Sequence, residues 1–358
     1  MNATGLSPRW ASPPGETIAQ AAADRGISHS ELATRLGLAK QQLAELLVGS
    51  LPITLGLAET LSATVGASRE FWISRDAQYH DDLRRVEADQ WAQQFPISQM
   101  VEFGWISQPA DWHEQIDACL EYFQVEEPAG WETRYGQALC TARYRKSPTF
   151  DVDAAATSAW FRACEAQAEG QFTSGFFDAD RFAKMVADLV SLTRIKDPAR
   201  FIPQLTARCA EAGVVVVVVR PPKGCPVSGV ARTYRGRPLI QLSARNLSDD
   251  HFWFSFFHEA GHIVLHPHEE MYIDNFDEGL NDDVEAEANA FAERQLFPAG
   301  VDVQGRLTSR AIVRAAQANG VSTGVVVGQL QYRGAIRQNQ FNTLKRRYVW
   351  DGPNLGMK

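Results

Sequence analysis

The sequence predicts an α+β protein: an all-helical N-terminal domain, a helical middle region, and a C-terminal domain whose small sheet packs on one buried helix. Three observations predict it. Residues 16–80 read as short helices punctuated by glycine. Residues 81–205 keep apolar side chains mostly at helical spacing. Residues 206–358 open with β-branched runs and then hold the one dense cluster of metal-ligating side chains. The chain has 358 residues, 45% apolar and 22% charged. That balance fits two or three globular domains and excludes wholesale disorder or collagen-like repeats.

In chain order, residues 1–15 are Pro- and Ser-rich and are expected to be a flexible terminus. They lack the apolar stretch of a secretory leader. The longest apolar run, Val214 to Val219, falls far short of the roughly 20 residues that span a bilayer. The five cysteines, Cys119, Cys140, Cys164, Cys209 and Cys225, form no C-x-x-C pair. They read as buried or free thiols in a reducing compartment, so a cytoplasmic protein without membrane attachment is expected.

Within 16–80, Glu16 to Arg25 forms a short helix closed by Gly26. Ser28 is an N-cap with Glu31 three residues on, as in a capping box, ahead of the Leu32, Ala33 and Leu36 stripe. Gly37 stops that helix. Lys40 to Val48 makes the next, with Leu43, Leu46 and Leu47 inward, and Leu55 to Val65 the fourth. Two short helices joined by a tight glycine turn are the helix-turn-helix plan. The stretch "PGETIAQAAADRGISHSELATRLGLAKQQLAELLVGSLPIT", followed by "REFW", resembles the HigA-like branch of repressor-type helix-turn-helix domains. The resemblance implies that Lys40–Val48 enters the DNA major groove, with Lys40, Gln41 and Gln42 as the contacting residues, and that the domain pairs as a homodimer. The family's frequent Ser is Ala39 here. Residues 16–75 hold five bases (Arg25, Arg35, Lys40, Arg69, Arg75) and six acids (Glu16, Asp24, Glu31, Glu45, Glu59, Glu70). A module for docking or dimerisation stands beside DNA binding, because phosphate binding depends on Lys and Arg.

Residues 81–205 contain "AWFRACEAQAEGQF" and "DADRFAKMVADLVSLTRI", both at helical spacing. Trp91, Trp105, Trp112, Trp131 and Trp160 read as core or groove aromatics. No catalytic pattern lies here, so a packed helical connector is expected.

Next, "GVVVVVVRPP" and "RPLIQLS" read as strands. Then "DDHFWFSFFHEAGHIVLHP" carries His258-Glu259-x-x-His262 on an apolar helix that starts at Asp249 and Asp250 and stops at Pro267. Residues four apart share a helix face, so both imidazoles can reach one metal ion, and Glu259 can act as general base. Four of the eight histidines fall within 258–268. A third donor is needed, and "VEAEANAFAERQLFP" supplies a second helix with two candidates, Glu285 and Glu287. Residues two apart point to different sides, so one of them faces away. His266 is a possible second donor layer or oxyanion group, as are Tyr272 and Tyr234; His268 reads as solvated.

"FHEAGHIVLH" with "EAEANAFAERQLFP" resembles the ImmA/IrrE family of zinc metallo-endopeptidases, over about residues 206–340. The resemblance implies a zincin-like metalloprotease domain. His258, His262 and Glu285 would hold Zn2+, the last through the family's Glu-x-x-Ala-Asn pattern, with Glu259 as base. Mn2+ or Fe2+ suit the same donors. It further implies that the substrate is a helix-turn-helix repressor or antitoxin-like regulator, cleaved in a stress, phage or mobile-element response. A DNA-binding regulator or antitoxin with a structural or sensory metal site is the alternative, and an interaction protein with a spent site a third.

The charge balance, 35 Lys+Arg against 43 Asp+Glu and a net of -8, excludes a chain that coats nucleic acid along its whole surface. Charge is uneven, however. Residues 212–248 are basic, 269–287 acidic, and 305–358 basic again. The last stretch is expected to be a basic helical segment. Lys345, Arg346 and Arg347 beside Tyr348 and Trp350 would suit single-stranded nucleic acid.

Overall fold

The computed structural model describes residues 9–136, 153–171, 176–266, 271–273, 282–301 and 307–358. The chain is a mixed α+β protein that divides into two compact units. One comprises residues 1–94 and 110–117; the other comprises 95–109 and 118–358.

The first unit is built from α1 (Pro14–Ala23), α2 (His29–Leu36), α3 (Lys40–Val48), α4 (Leu55–Val65) and α5 (Arg69–Ala92). Ile18, Leu32, Leu46, Ala58, Leu61 and Trp72 form its core. Ser28 caps α2 by accepting from Glu31 N at 3.3 Å. The other half of the expected capping box is absent, because Glu31 pairs with Arg35 one turn on instead. Gly37 ends α2 at φ 66°, a left-handed conformation that glycine adopts without a Cβ clash. Helix α5 runs unbroken through residue 80, where a boundary was expected, and the unit reaches Gln94.

The second unit begins with α6 (Ile97–Glu102), the latter part of α7 (Trp112–Phe123), and α8 (Pro128–Trp131) with the π turn Glu132–Gly136. Then come α9 (Ala154–Glu169), α10 (Ala179–Leu189) and α11 (Pro198–Glu211), followed by strands β1 (Val215–Val218), β2 (Gly229–Tyr234) and β3 (Arg237–Leu242). Helix α12 (Asp249–Leu265), strand β4 (Met271–Ile273), helices α13 (Asp282–Leu296), α14 (Ser309–Asn319) and α15 (Thr323–Tyr332), and the strands β5 (Tyr348–Asp351) and β6 (Asn354–Met357) complete it.

Strand order in the main sheet is β1-β3-β2-β4. β1 and β3 are parallel; β2 pairs antiparallel with β3 and β4. The β2–β3 turn places Arg235 and Gly236 at φ 50° and 76°, the left-handed pair of a type I′ hairpin. β2 was not legible as a strand because Arg232, Thr233 and Tyr234 interrupt its apolar pattern.

Period-two alternation sends side chains to both faces of this sheet. Val216, Val218, Ala231, Ile240 and Leu242 face the core that α12 fills. On the other face lies α9. Trp160 Nε1 donates to Val219 O at 3.0 Å, and buried Glu165 accepts from Arg134, Tyr135 and Arg232 at 2.8–2.9 Å. Of the middle region, 95–109 and the residues from 118 onward belong to this unit, whereas 81–94 and 110–117 belong to the first. Trp91, Trp131 and Trp160 are buried as expected, whereas Trp105 and Trp112 are only half-buried.

Helix α12 is apolar nearly all round and buried along most of its length. Gly261 lets α13 approach it closely: a Cβ there would stand 3.2 Å from Ala288 Cα. Its first turn is buried too. Asp249 accepts from Ser322 Oγ at 2.8 Å and Arg346 N at 3.0 Å. Asp250 pairs with Lys345 Nζ, which also donates to Gln331 Oε1 at 2.6 Å. Burial pushes the Asp249 carboxyl above its ordinary range, and the bonds from Ser322 and Arg346 oppose that.

This clasp corrects the reading of the basic C-terminal segment. Residues 348–357 form the β5–β6 hairpin, not a helix, because Tyr348 and Leu355 alternate inward and Gly352 turns the chain at φ 55°. Lys345 is only 6% exposed, Tyr348 is buried, and Arg346 binds the carbonyls of Thr193 and Ile195. Of the three cations expected to meet single-stranded nucleic acid, only Arg347 is exposed.

Cys119, Cys164, Cys209 and Cys225 are buried free thiols, and Cys140 lies outside the described residues. Among the described residues, no helix is long and apolar enough to cross a membrane.

Removing Lys345 leaves Asp250 buried without its counter-charge. Lys345→Met is expected to lower unfolding stability by about 3–5 kcal/mol, read by urea denaturation, while the doubly substituted Asp250→Asn/Lys345→Met recovers part of the loss.

Candidate metal centre

His258 and His262 sit one turn apart on α12, at 3% and 0% exposure. Their Nε2 atoms are 3.0 Å apart. Both rings aim at one point because i and i+4 side chains lie above one another on a helix. Helix α13 lies against this face and supplies the carboxylate. Glu285 Oε2 is 3.2 Å from His258 Nε2, and Oε1 is 3.3 Å from His262 Nε2.

These separations test the donors against a metal. Ligands held at 2.0–2.1 Å around a tetrahedral zinc stand about 3.3–3.4 Å apart. The two imidazole nitrogens at 3.0 Å and the carboxylate oxygens at 3.2 and 3.3 Å from them come close to that spacing, and one donor atom from each residue lies within 4.8 Å of the others. The donor chemistry, two imidazoles and a carboxylate, suits a first-row divalent ion. Of the described residues, only this trio forms such a group.

Glu287, the second candidate in sequence, is turned outward and stands 3.5 Å from His266 Nε2. His266 closes α12 and does not join the trio. Tyr272 lies on β4, opposite Ala231, and its side chain is outside the described residues, as is His268. Tyr234 is directed away from the metal helix: its hydroxyl donates to Glu169 on α9 at 2.8 Å.

Glu259 is fully buried beside the start of β2. A Cβ at Gly229 would stand 2.5 Å from its Oε1, so this glycine provides the space the carboxylate occupies. A residue without an assigned role in the sequence reading is Asn289. Its Oδ1 lies 3.1 Å from His258 Nδ1. An amide oxygen there accepts an Nδ1 proton and leaves Nε2 as the lone-pair donor. Its position four residues after Glu285, on the same helix face, is the signal that could have found it.

Burial opposes ionisation of Glu285, but the adjoining imidazoles of His258 and His262 outweigh it and hold the carboxyl at about 2. Burial also lowers His262, against the pull of Glu285, so the imidazole is neutral near pH 7. Both groups are therefore in the protonation state a metal requires.

In the first unit, Lys40, Gln41 and Gln42 are exposed on the first turn of α3. Gln41 Nε2 donates to Glu45 at 3.0 Å. Gln42 Oε1 accepts from Ala39 N at 2.9 Å, capping the helix that Ala39 cannot cap with its own side chain.

A buried helix bearing two imidazoles, met by a carboxylate from a second helix, makes a candidate site at which three protein donors could hold one metal ion. Residues 210–330 match the model of the Peptidase_M78 family, described as the IrrE N-terminal-like domain. The C-terminal resemblance to ImmA/IrrE proteins is thus matched by a family model, and that family is one of metallopeptidases. Compared with the curated proteins, the chain matches none.

Purified chain supplied with zinc is expected to hold about one ion. His262→Ala and Glu285→Ala should lose it, and Glu287→Ala should keep it, by elemental analysis after dialysis. Metal binding should also weaken as pH falls, at a pH below the ordinary imidazole value of about 6.5, because burial lowers His262. The acid limit is set by the histidines, since Glu285 stays ionised to about 2. A pH series of competition titrations against a chelator dye checks this.

Proposed function

We propose that the protein is a zinc-dependent endopeptidase whose C-terminal domain packs as a zincin, with His258, His262 and Glu285 as ligands. The observation that carries the reading is the convergence of these three donors at 3.0–3.3 Å in a buried setting. Three protein donors leave a fourth position for water or substrate, whereas structural zinc sites usually close with four. Glu285 is 26% exposed, so the carboxylate side of the centre is reached from solvent.

When bound, zinc supplies Lewis-acid polarisation of a carbonyl and a water nucleophile at neutral pH. Glu259 takes the proton from the attacking water at its carboxylate and returns it to the leaving amine. Asn289 positions His258 through Nδ1. Gly229 keeps the space in which the Glu259 carboxylate sits.

The substrate in this reading is a helix-turn-helix repressor or antitoxin-like regulator, cut in a stress, phage or mobile-element response in the cytoplasm. The first unit is read as a helix-turn-helix module that pairs with its like. The glycine-turned pair α2 and α3 supports that reading. Its charge balance of five bases and six acids over 16–75 favours protein over DNA as the partner.

Glu259→Gln should abolish cleavage of such a regulator by about 100- to 10,000-fold while metal content stays at wild-type level. A gel assay with elemental analysis on the same sample checks both. Equal cleavage by the variant would sink the mechanism.

A further inference from the structure

One helical turn before His258, the metal helix lines a cavity of about 140 Å3. Part of its wall is apolar: Phe254 from α12, Leu296 and Phe297 from the end of α13, and the Tyr332 ring from α15; Asp250, His251 and Gln329 line it as well. The Phe254 ring stacks 6.3 Å from the His258 ring at 27°, so one wall of the cavity abuts a side chain of the donor trio. Four residues of helix advance about 6 Å. An extended peptide covers that in about two residues at roughly 3.3 Å each.

A cavity of about 150 Å3 lined by apolar side chains takes one benzene ring. This cavity is the same size but has a polar wall. Gln329 on α15 is 4% exposed, and its Nε2 has no hydrogen-bond partner among the described residues. A buried amide N–H2 left unmatched costs free energy until an acceptor arrives. The Asp250 carboxylate also lines the cavity. It already accepts from Ser248 Oγ and Lys345 Nζ, yet a carboxylate has about four lone-pair sites and retains capacity. One donor and one acceptor at the edge of a ring-sized apolar space are complementary to a phenol. The phenol oxygen accepts from Gln329, and its proton is donated to Asp250.

We infer that this cavity is a specificity pocket for a tyrosine side chain of the substrate, within about two residues of the bond that is cut. The inference rests on the peptidase reading for its substrate, but the pocket can be tested without cleavage. Tyr332, 73% exposed, stands over Phe254 with ring centroids 6.4 Å apart and lets a side chain enter from solvent.

The experiment is ligand-observed NMR on the full chain with p-cresol and toluene, the side-chain analogues of tyrosine and phenylalanine. Wild type should bind p-cresol at least five-fold more tightly than toluene. Gln329→Met, close in shape but lacking the amide, should erase that preference and leave toluene within two-fold of wild type. Val325→Phe, which fills the wall between them, should remove both. Equal binding of the two ligands by wild type, or undiminished p-cresol preference in Gln329→Met, overturns the inference, as does no binding of either. If Val325→Phe fails to fold, the Gln329→Met comparison still decides. Preferential p-cresol binding by a chain that cuts no peptide would refute the peptidase reading and leave the pocket standing. Cleavage without any p-cresol preference would refute the pocket alone.

Discussion

Two imidazoles and two carboxylates are carried into an apolar core by helices α12 and α13, and the second unit is arranged around that constraint. Polar groups withdrawn from water are costly unless matched. His258 and His262 are matched by Glu285 and by Asn289. Glu259 is given space by a glycine where any other residue would intrude. The close contact of α13 with α12 that brings Glu285 into reach depends on Gly261 and Ala288. Large aromatics, Phe252, Trp253, Phe256 and Phe257, fill the rest of the helix surface and fix its rotation against the sheet. Rotation matters because a few tens of degrees would separate the two Nε2 atoms from a common centre.

The chemistry was legible in sequence because it is local. His258, Glu259 and His262 lie within one turn and a half, and their shared face follows from helix geometry alone. Glu285 and Glu287 could be separated only by knowing which face of α13 meets α12, a tertiary fact that the spacing narrows without deciding. Helices α3 and α4 were legible to the residue, and in the structure Gly49, Thr54 and Gly66 stand at their ends. β2 was hidden because Arg232 and Tyr234 answer to Glu165 and Glu169 on α9, more than 60 positions earlier in the chain. The partners of Lys345 and Arg346 inside the fold were hidden for the same reason. A run of Lys and Arg beside aromatics looks like a nucleic-acid surface unless the buried Asp249 and Asp250 are seen opposite it.

The second unit is wider than the stretch that matches the metallopeptidase family. The match spans 210–330, yet α9 lies on the sheet from before it and the β5 strand pins the start of α12 from after it. Tyr348 N donates to Leu247 O at 2.9 Å, and Asp249 N to Arg346 O at 3.2 Å. The matched stretch therefore depends on flanking segments for the cover on one face of its sheet and for the anchoring of α12. The ion-pair network on Glu165 shows the same dependence: Arg134 and Arg232 reach one carboxylate from outside and inside the matched stretch.

The clasp between α12 and residues 345–346 also has a timing. Synthesis at about 5–20 residues per second separates Asp250 from Lys345, 95 positions later, by roughly 5–20 s. Throughout that interval the first turn of α12 carries two carboxylates facing an apolar interior without their counter-charges. The first turn of α12 gains its matching partners only once residues 345–346 have been made. His258, His262 and Glu285 all precede Lys345 in the chain, so the donor trio is complete in sequence before the counter-charge that anchors its helix has been made.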